Sequence, residues 1–167
     1  MKYALIAGLL CTAVPHITVA QDAYDTGPTD RCLAAVVRTT DKRDCIGLAA
    51  EACADQTLGG FTTRSMTICL GGELAYFDDL LNVEYARVRD LARELDKAAN
   101  GTSFDDTSVA DRLLQMQRAW IAYRDATCAF EERQYDGGTL GRLVHVDCLT
   151  TLTAEQAFRL QDSVLGL

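Results

Sequence analysis

Leu74, Phe77, Leu81, Tyr85, Val88, Ala92 and Leu95 recur at steps of three and four residues. An α-helix turns about 100° per residue, so this spacing stacks all seven along one side of a single helix. A stripe that long needs another long helix lying against it, because helices gain most of their stability from packing such a face. The chain is therefore expected to form a helical bundle around a helix running from Arg64 to Ala99. Thr62 or Thr63 is placed to start that helix and Asn100-Gly101 to stop it. Gly71-Gly72 near its start predicts a kink or a close-packing site, since each glycine costs roughly 1 kcal/mol against alanine.

The partner helix is expected to begin at Asp106 or Ser108 and reach about Gln134, ahead of the Asp136-Gly137-Gly138 break. Within it Leu113, Gln117, Trp120, Arg124 and Cys128 fall on one arc, which mixes an aromatic ring, a cation and a thiol. A last helical region covers Leu140 to about Val164, with a break expected near Thr150-Thr151. Upstream, a helix from Thr29 or Asp30 to Arg38 and another from Asp44 to Ala54 flank the polar turn Thr39 to Arg43. Leu58-Gly59-Gly60-Phe61 reads as a breaker. Only two prolines in 167 residues agree with this helical reading. The fold class is all-α: a disulfide-stapled bundle of about four to five helices with one long central antiparallel helix pair.

Residues 1–20, MKYALIAGLLCTAVPHITVA, have the form of a secretory signal peptide. Lys2 supplies the charge, Ala4 to Val14 the short apolar run and Thr18-Val19-Ala20 the small-residue cleavage site. The run is too short to span a membrane, and Leu10 before Cys11 disfavours lipidation. Residues 21–167 are then expected to form a single helical domain, divided into an N-terminal stapled hairpin (21–68) and a core (69–164). Its location would be periplasmic or secreted.

Export removes Cys11 and leaves Cys32, Cys45, Cys53, Cys69, Cys128 and Cys148, an even set that predicts three disulfides. No C-x-x-C occurs, and His145 is the single histidine beyond the leader, so metal binding is not expected. Two cysteines on an antiparallel hairpin should lie equally far from its turn. Cys128–Cys148 centres on Gly138, Cys32–Cys53 on Lys42 and Arg43, and Cys45–Cys69 on Thr57. The competing N-terminal set pairs Cys32 with Cys45 and Cys53 with Cys69; the equal-distance rule favours the former.

Leu81-Asn82 followed by Tyr85, then Gln117-Arg118-x-Trp120-x-x-Tyr123-Arg124-x-x-x-Cys128, Gly137-Gly138-Thr139, Cys148 and Leu152-Thr153 resemble the LprI-type lysozyme-inhibitor family. The match runs from about Cys69 to Leu160. One position departs from it: Gln156 stands where the family tends to carry an arginine. The resemblance implies a small exported helical domain, and at least part of that family inhibits C-type lysozymes.

Arg124 on the buried arc needs a carboxylate or several carbonyls, and Asp78 is the best-placed acid, with Glu84 next. An Asp78–Arg124 ion pair would lock two helices in register; a binding role for Arg124 is the alternative. Trp120 is expected in the core, and Asn82 and Gln117 as interhelical hydrogen-bonding groups. Gln115 and Arg118 are expected to be solvated. No Ser-His-Asp set and no phosphate loop is present, so neither an enzyme nor a cofactor is expected. The net charge of −8 disfavours nucleic acid and an anionic membrane surface and leaves a basic partner open, and the resemblance implies a C-type lysozyme in that place. The candidate contact loops are Asn100–Thr107, with Phe104 and Asp105, and the turn of Tyr135, Asp136, Gly137, Gly138 and Thr139. An envelope interaction module without lysozyme affinity is the other reading.

Overall fold

The computed structural model describes residues 24–36, 38–99 and 107–163. The expected leader and the segment holding Phe104 and Asp105 lie outside them. The described residues form helices and contain no strand. They are α1 (Gly27–Ala35), α2 (Leu48–Gln56), α3 (Thr63–Ala99), α4 (Val109–Arg133) and α5 (Thr139–Gln161). A helical turn, Thr39–Lys42, and a 3-10 turn, Arg43–Cys45, join α1 to α2.

Each long helix starts from a local hydrogen-bond arrangement. At α3, Thr62 Oγ1 accepts from Ser65 N at 3.1 Å, and Ser65 Oγ accepts from Thr62 N at 2.9 Å. That reciprocal pair satisfies amides the helix cannot. At α4, Ser108 Oγ accepts from Asp111 N, and the α3 residue Asp96 accepts from Val109 N at 2.7 Å and Ala110 N at 3.1 Å. One helix thus caps the next.

Three contacts fix the direction of α5 against α3. Thr150 Oγ1 donates to Leu70 O, the Phe77 and Phe158 rings meet edge-on at 5.9 Å, and Arg87 donates to Leu160 O at 2.8 Å. Residue numbers rise together, so the two helices run parallel. Along α4 they fall as α5 rises: Gln117 meets Gln156, Arg124 meets Thr153, and Cys128 bonds Cys148. The long helix α3 therefore packs against α5 and α4, with α4 antiparallel to both. Leu81, Val88, Ala92, Leu113, Ala157 and Leu160 fill the space between them. Leu95, the last member of the stripe, is exposed. No break occurs at Thr150, whose hydroxyl also donates to Val146 O one turn back.

Gly72 is a close-packing site. A Cβ there would stand 2.5 Å from Tyr24 Cδ2, so the ring needs glycine beneath it.

The N-terminal disulfides differ from the equal-distance expectation. Cys32 pairs with Cys45 and Cys53 with Cys69, not Cys32 with Cys53 and Cys45 with Cys69. The rule assumed a second helix beginning at Asp44. Instead Cys45 ends the 3-10 turn beside α1, and α2 starts three residues later at Leu48. Cys53 then faces α3 rather than α1. The structure pairs Cys128 with Cys148.

Around these staples sits a buried carboxylate. Glu73, fully buried on α3, accepts from Thr29 Oγ1 at 2.7 Å, Gly47 N at 3.1 Å and Ala50 N at 3.3 Å. Thr29 Oγ1 in turn accepts from Ala49 N. Glu73 and Thr29 together cap α2, joining it to α1 and α3. Burial pushes the Glu73 carboxyl above its ordinary value, and the donors offset only part of that rise.

Candidate functional site

The family-motif residues lie along one seam, though only part of it is interior. Gln117 Oε1 accepts from the buried Gln156 Nε2 at 3.1 Å, which makes a short amide bridge between α4 and α5. Gln156 thus fills the departing position with a neutral bond. Tyr85 and Trp120 pack at the edge of the main apolar cluster, half-buried. Tyr123 is 59% exposed.

Arg124 and Asp78 do not pair. Asp78 is exposed and accepts from Asn82 one turn along its own helix. It lies about 100° round α3 from Phe77, off the packed arc. Arg124 bonds its neighbour Asp125 at 2.9 Å, reaches Thr153 Oγ1 at 3.3 Å and stacks over Trp120 with its guanidinium 5.0 Å from the ring. Its side chain is mostly covered, and Asp125, Thr153 and the Trp120 face together compensate the charge, so no acid from α3 is needed.

Gln115 and Arg118 are exposed. His145 Nδ1 lies 3.1 Å from Glu132 Oε2 across α4 and α5, but makes no hydrogen bond among the described residues.

Beside the seam runs a groove of about 660 Å³, lined by Met116, Trp120, Tyr123, Glu155, Gln156 and Phe158. Arg43 and Glu155 close one side through an ion pair of 3.1 Å. Its walls mix the aromatic rings of Trp120, Tyr123 and Phe158 with charged groups that include Arg159 and Asp162, and no nucleophile and base come together in it.

The turn Tyr135 to Thr139 is exposed, with Asp136 at φ 50° and Gly137 at φ 76°. Asp136 accepts from Arg133 at 3.4 Å. This turn and the start of α4 at Val109 stand at opposite ends of that helix, separated by about 37 Å at 1.5 Å per residue.

Because α3 and α5 are parallel, their first turns share one end of the bundle with that exposed turn. A cleft of about 620 Å³ opens there between Thr63, Arg64, Thr67 and Ile68 on α3 and Thr139 and Arg142 on α5. Neither arginine has a hydrogen-bond or ion-pair partner among the described residues. The loop before α3 projects Leu58, fully exposed, and Phe61, 61% exposed. Gly59 and Gly60 turn its tip at φ 101° and 65°, which only glycine adopts readily. Ser65 Oγ donates to Gly60 O at 2.7 Å, and the Cys53–Cys69 bond encloses the loop. Sequence reasoning read Leu58-Gly59-Gly60-Phe61 only as a helix breaker. Two large apolar residues around a glycine pair were the missed signal, whereas the convergence of Arg64 with Arg142 depends on the parallel packing.

A family model described as lysozyme inhibitor LprI matches residues 53–160. It begins upstream of Cys69, so it includes the Cys53–Cys69 staple and the exposed loop. An uncharacterized 17.7 kDa protein in the puhA 5′ region of Rhodobacter capsulatus is 24% identical over 143 residues, 83% of this chain and 85% of its own length. An uncharacterized protein of Rhizobium meliloti (strain 1021) is 27% identical over 97 residues, 58% of this chain and 70% of its own. No solved structure matches the chain. No helix among the described residues is long and apolar enough to cross a membrane. The family match covers well over half of the 167 residues, from the last turn of α2 to the end of α5, and the chain belongs to the LprI lysozyme-inhibitor family.

Proposed function

We propose that this protein is exported by its first twenty residues and inhibits a C-type lysozyme by occupying the muramidase cleft. The observation that carries the reading is the family match over 53–160. Two features support it. A net charge of −8 would draw the chain toward a basic enzyme over a distance of about 10 Å at 0.1 M salt. A rigid, disulfide-closed scaffold also loses little conformational entropy on binding, which leaves more of the contact energy as affinity.

The test is a turbidity assay of peptidoglycan lysis at two salt concentrations. Micromolar protein should slow clearing at low salt, and added salt should weaken the effect. Unslowed clearing at low salt would remove the inhibitor reading and leave an envelope interaction module.

A further inference from the structure

We infer that the surface entering the muramidase cleft is the bundle end formed by the Leu58–Phe61 loop, Arg64 and Arg142. This rests on the lysozyme reading above and adds which residues make the contact. Glycoside hydrolysis employs two carboxyl groups on opposite sides of the scissile bond, and in lysozyme the general acid sits in an apolar pocket. A surface that blocks such a cleft must therefore offer apolar side chains on a projecting element and cations for the carboxylates.

This end of the bundle offers both. Leu58 and Phe61 project from a tip held in place by the Ser65–Gly60 bond and the Cys53–Cys69 staple. Ile68, 63% exposed, continues the apolar surface into the cleft between α3 and α5. Arg64 and Arg142 flank that cleft with their guanidinium groups unpaired, so docking breaks no existing ion pair. The first turns of a 37-residue and a 23-residue helix meet here, and their dipoles add to the local positive field. Charge complementarity thus works at two ranges: the acidic body attracts a basic enzyme, and the cationic end meets the acids inside its cleft. The groove beside Trp120 matches less well: it holds one arginine unpaired among the described residues, Arg159, together with the acids Glu155 and Asp162, so its charge is mixed where the bundle end offers two free cations.

Binding of a C-type lysozyme by calorimetry, together with the turbidity assay, tests the surface. Four proteins are compared: wild type, Arg64→Ser/Arg142→Ser, Leu58→Asp and Tyr123→Ala. All changed side chains are exposed, so melting temperatures should match. The arginine pair and Leu58→Asp should each weaken binding by about tenfold or more. Tyr123→Ala, in the other groove, should stay within about twofold, a small fraction of that loss. Against a lysozyme whose general-acid carboxyl is replaced by its amide, the arginine double variant should differ less from wild type. If wild type inhibits and the first two variants inhibit equally well, this surface is wrong and the inhibitor reading stands. Loss of binding in Tyr123→Ala alone would move the contact to the groove. If wild type ignores lysozyme yet floats with anionic vesicles in an Arg64- and Arg142-dependent way, both readings fall and the end is a lipid contact.

Discussion

Glu73 and Arg124 are both charged, both on long helices, and handled in opposite ways. Glu73 is fully buried and receives a hydroxyl and two backbone amides from the start of α2. Arg124, its side chain only 19% exposed, lies at the edge of the α4–α5 seam, stacked over Trp120, bonded to Thr153 and paired with an exposed neighbour. A short acid can reach unsatisfied amides at a helix start, where the partial positive charge favours it. A guanidinium can instead rest on an aromatic face and share its charge with an acid at the protein's edge. The N-terminal cap is thus organised around one polar centre, whereas links along the α4–α5 seam are spread out: the Gln117–Gln156 bridge, the Arg124–Thr153 bond and the Cys128–Cys148 disulfide.

Glu73→Ala should break this contrast most severely. Three donors would be left unsatisfied in the interior, at a cost of about 3 kcal/mol or more. Denaturant unfolding measures it, and a loss below about 1 kcal/mol would mean the cap is held by its disulfides and packing alone. Its pH dependence has a definite sign. Burial raises the folded-state pKa of Glu73 above 4.5, so its proton-linked stability is present below that pH and lost as pH rises through the folded value. Glu73→Gln should lack that decline when denaturant midpoints are followed from pH 4.5 toward neutral.

Gln156→Ala should cost less, about 2 kcal/mol, by leaving Gln117 without its donor and opening a void between α4 and α5. A neutral outcome would show that water or a rearranged Met116 replaces the bridge. Arg124→Met should be the mildest, at about 1 kcal/mol or less, since methionine keeps the contact with Trp120 and the acid left behind, Asp125, is exposed to water. A loss above about 2 kcal/mol in thermal unfolding would restore Arg124 as an interior lock.

The three long helices were legible because their apolar periodicity extends over many turns. The expected Arg64–Ala99 helix is Thr63–Ala99, and the partner helix ends one residue before the expected Gln134. Misreadings gather where spacing alone had to stand for geometry. Cys45 was assigned to a helix that begins only at Leu48, and that shift exchanged the disulfide partners. Asp78 is near the right arc in sequence, yet one residue of rotation puts it in solvent. Glu73 gave no signal at all, because its partners are backbone amides of a short helix far away in sequence. The cleft between Arg64 and Arg142 required knowing that α3 and α5 are parallel, which no local pattern records.

The three disulfides have one more consequence, which concerns the topology of the covalent chain. Two close within residues 32–69 and the third within 128–148, so no bridge ties α3 to α4 or α5. The molecule is two separately cross-linked modules joined by a single strand of backbone, and Asp96 grips the start of α4 independently of that strand. Cutting the strand would therefore leave two fragments that must recognise each other through their surfaces. The central interface between the modules is in effect a dimer interface that happens to be encoded in one chain.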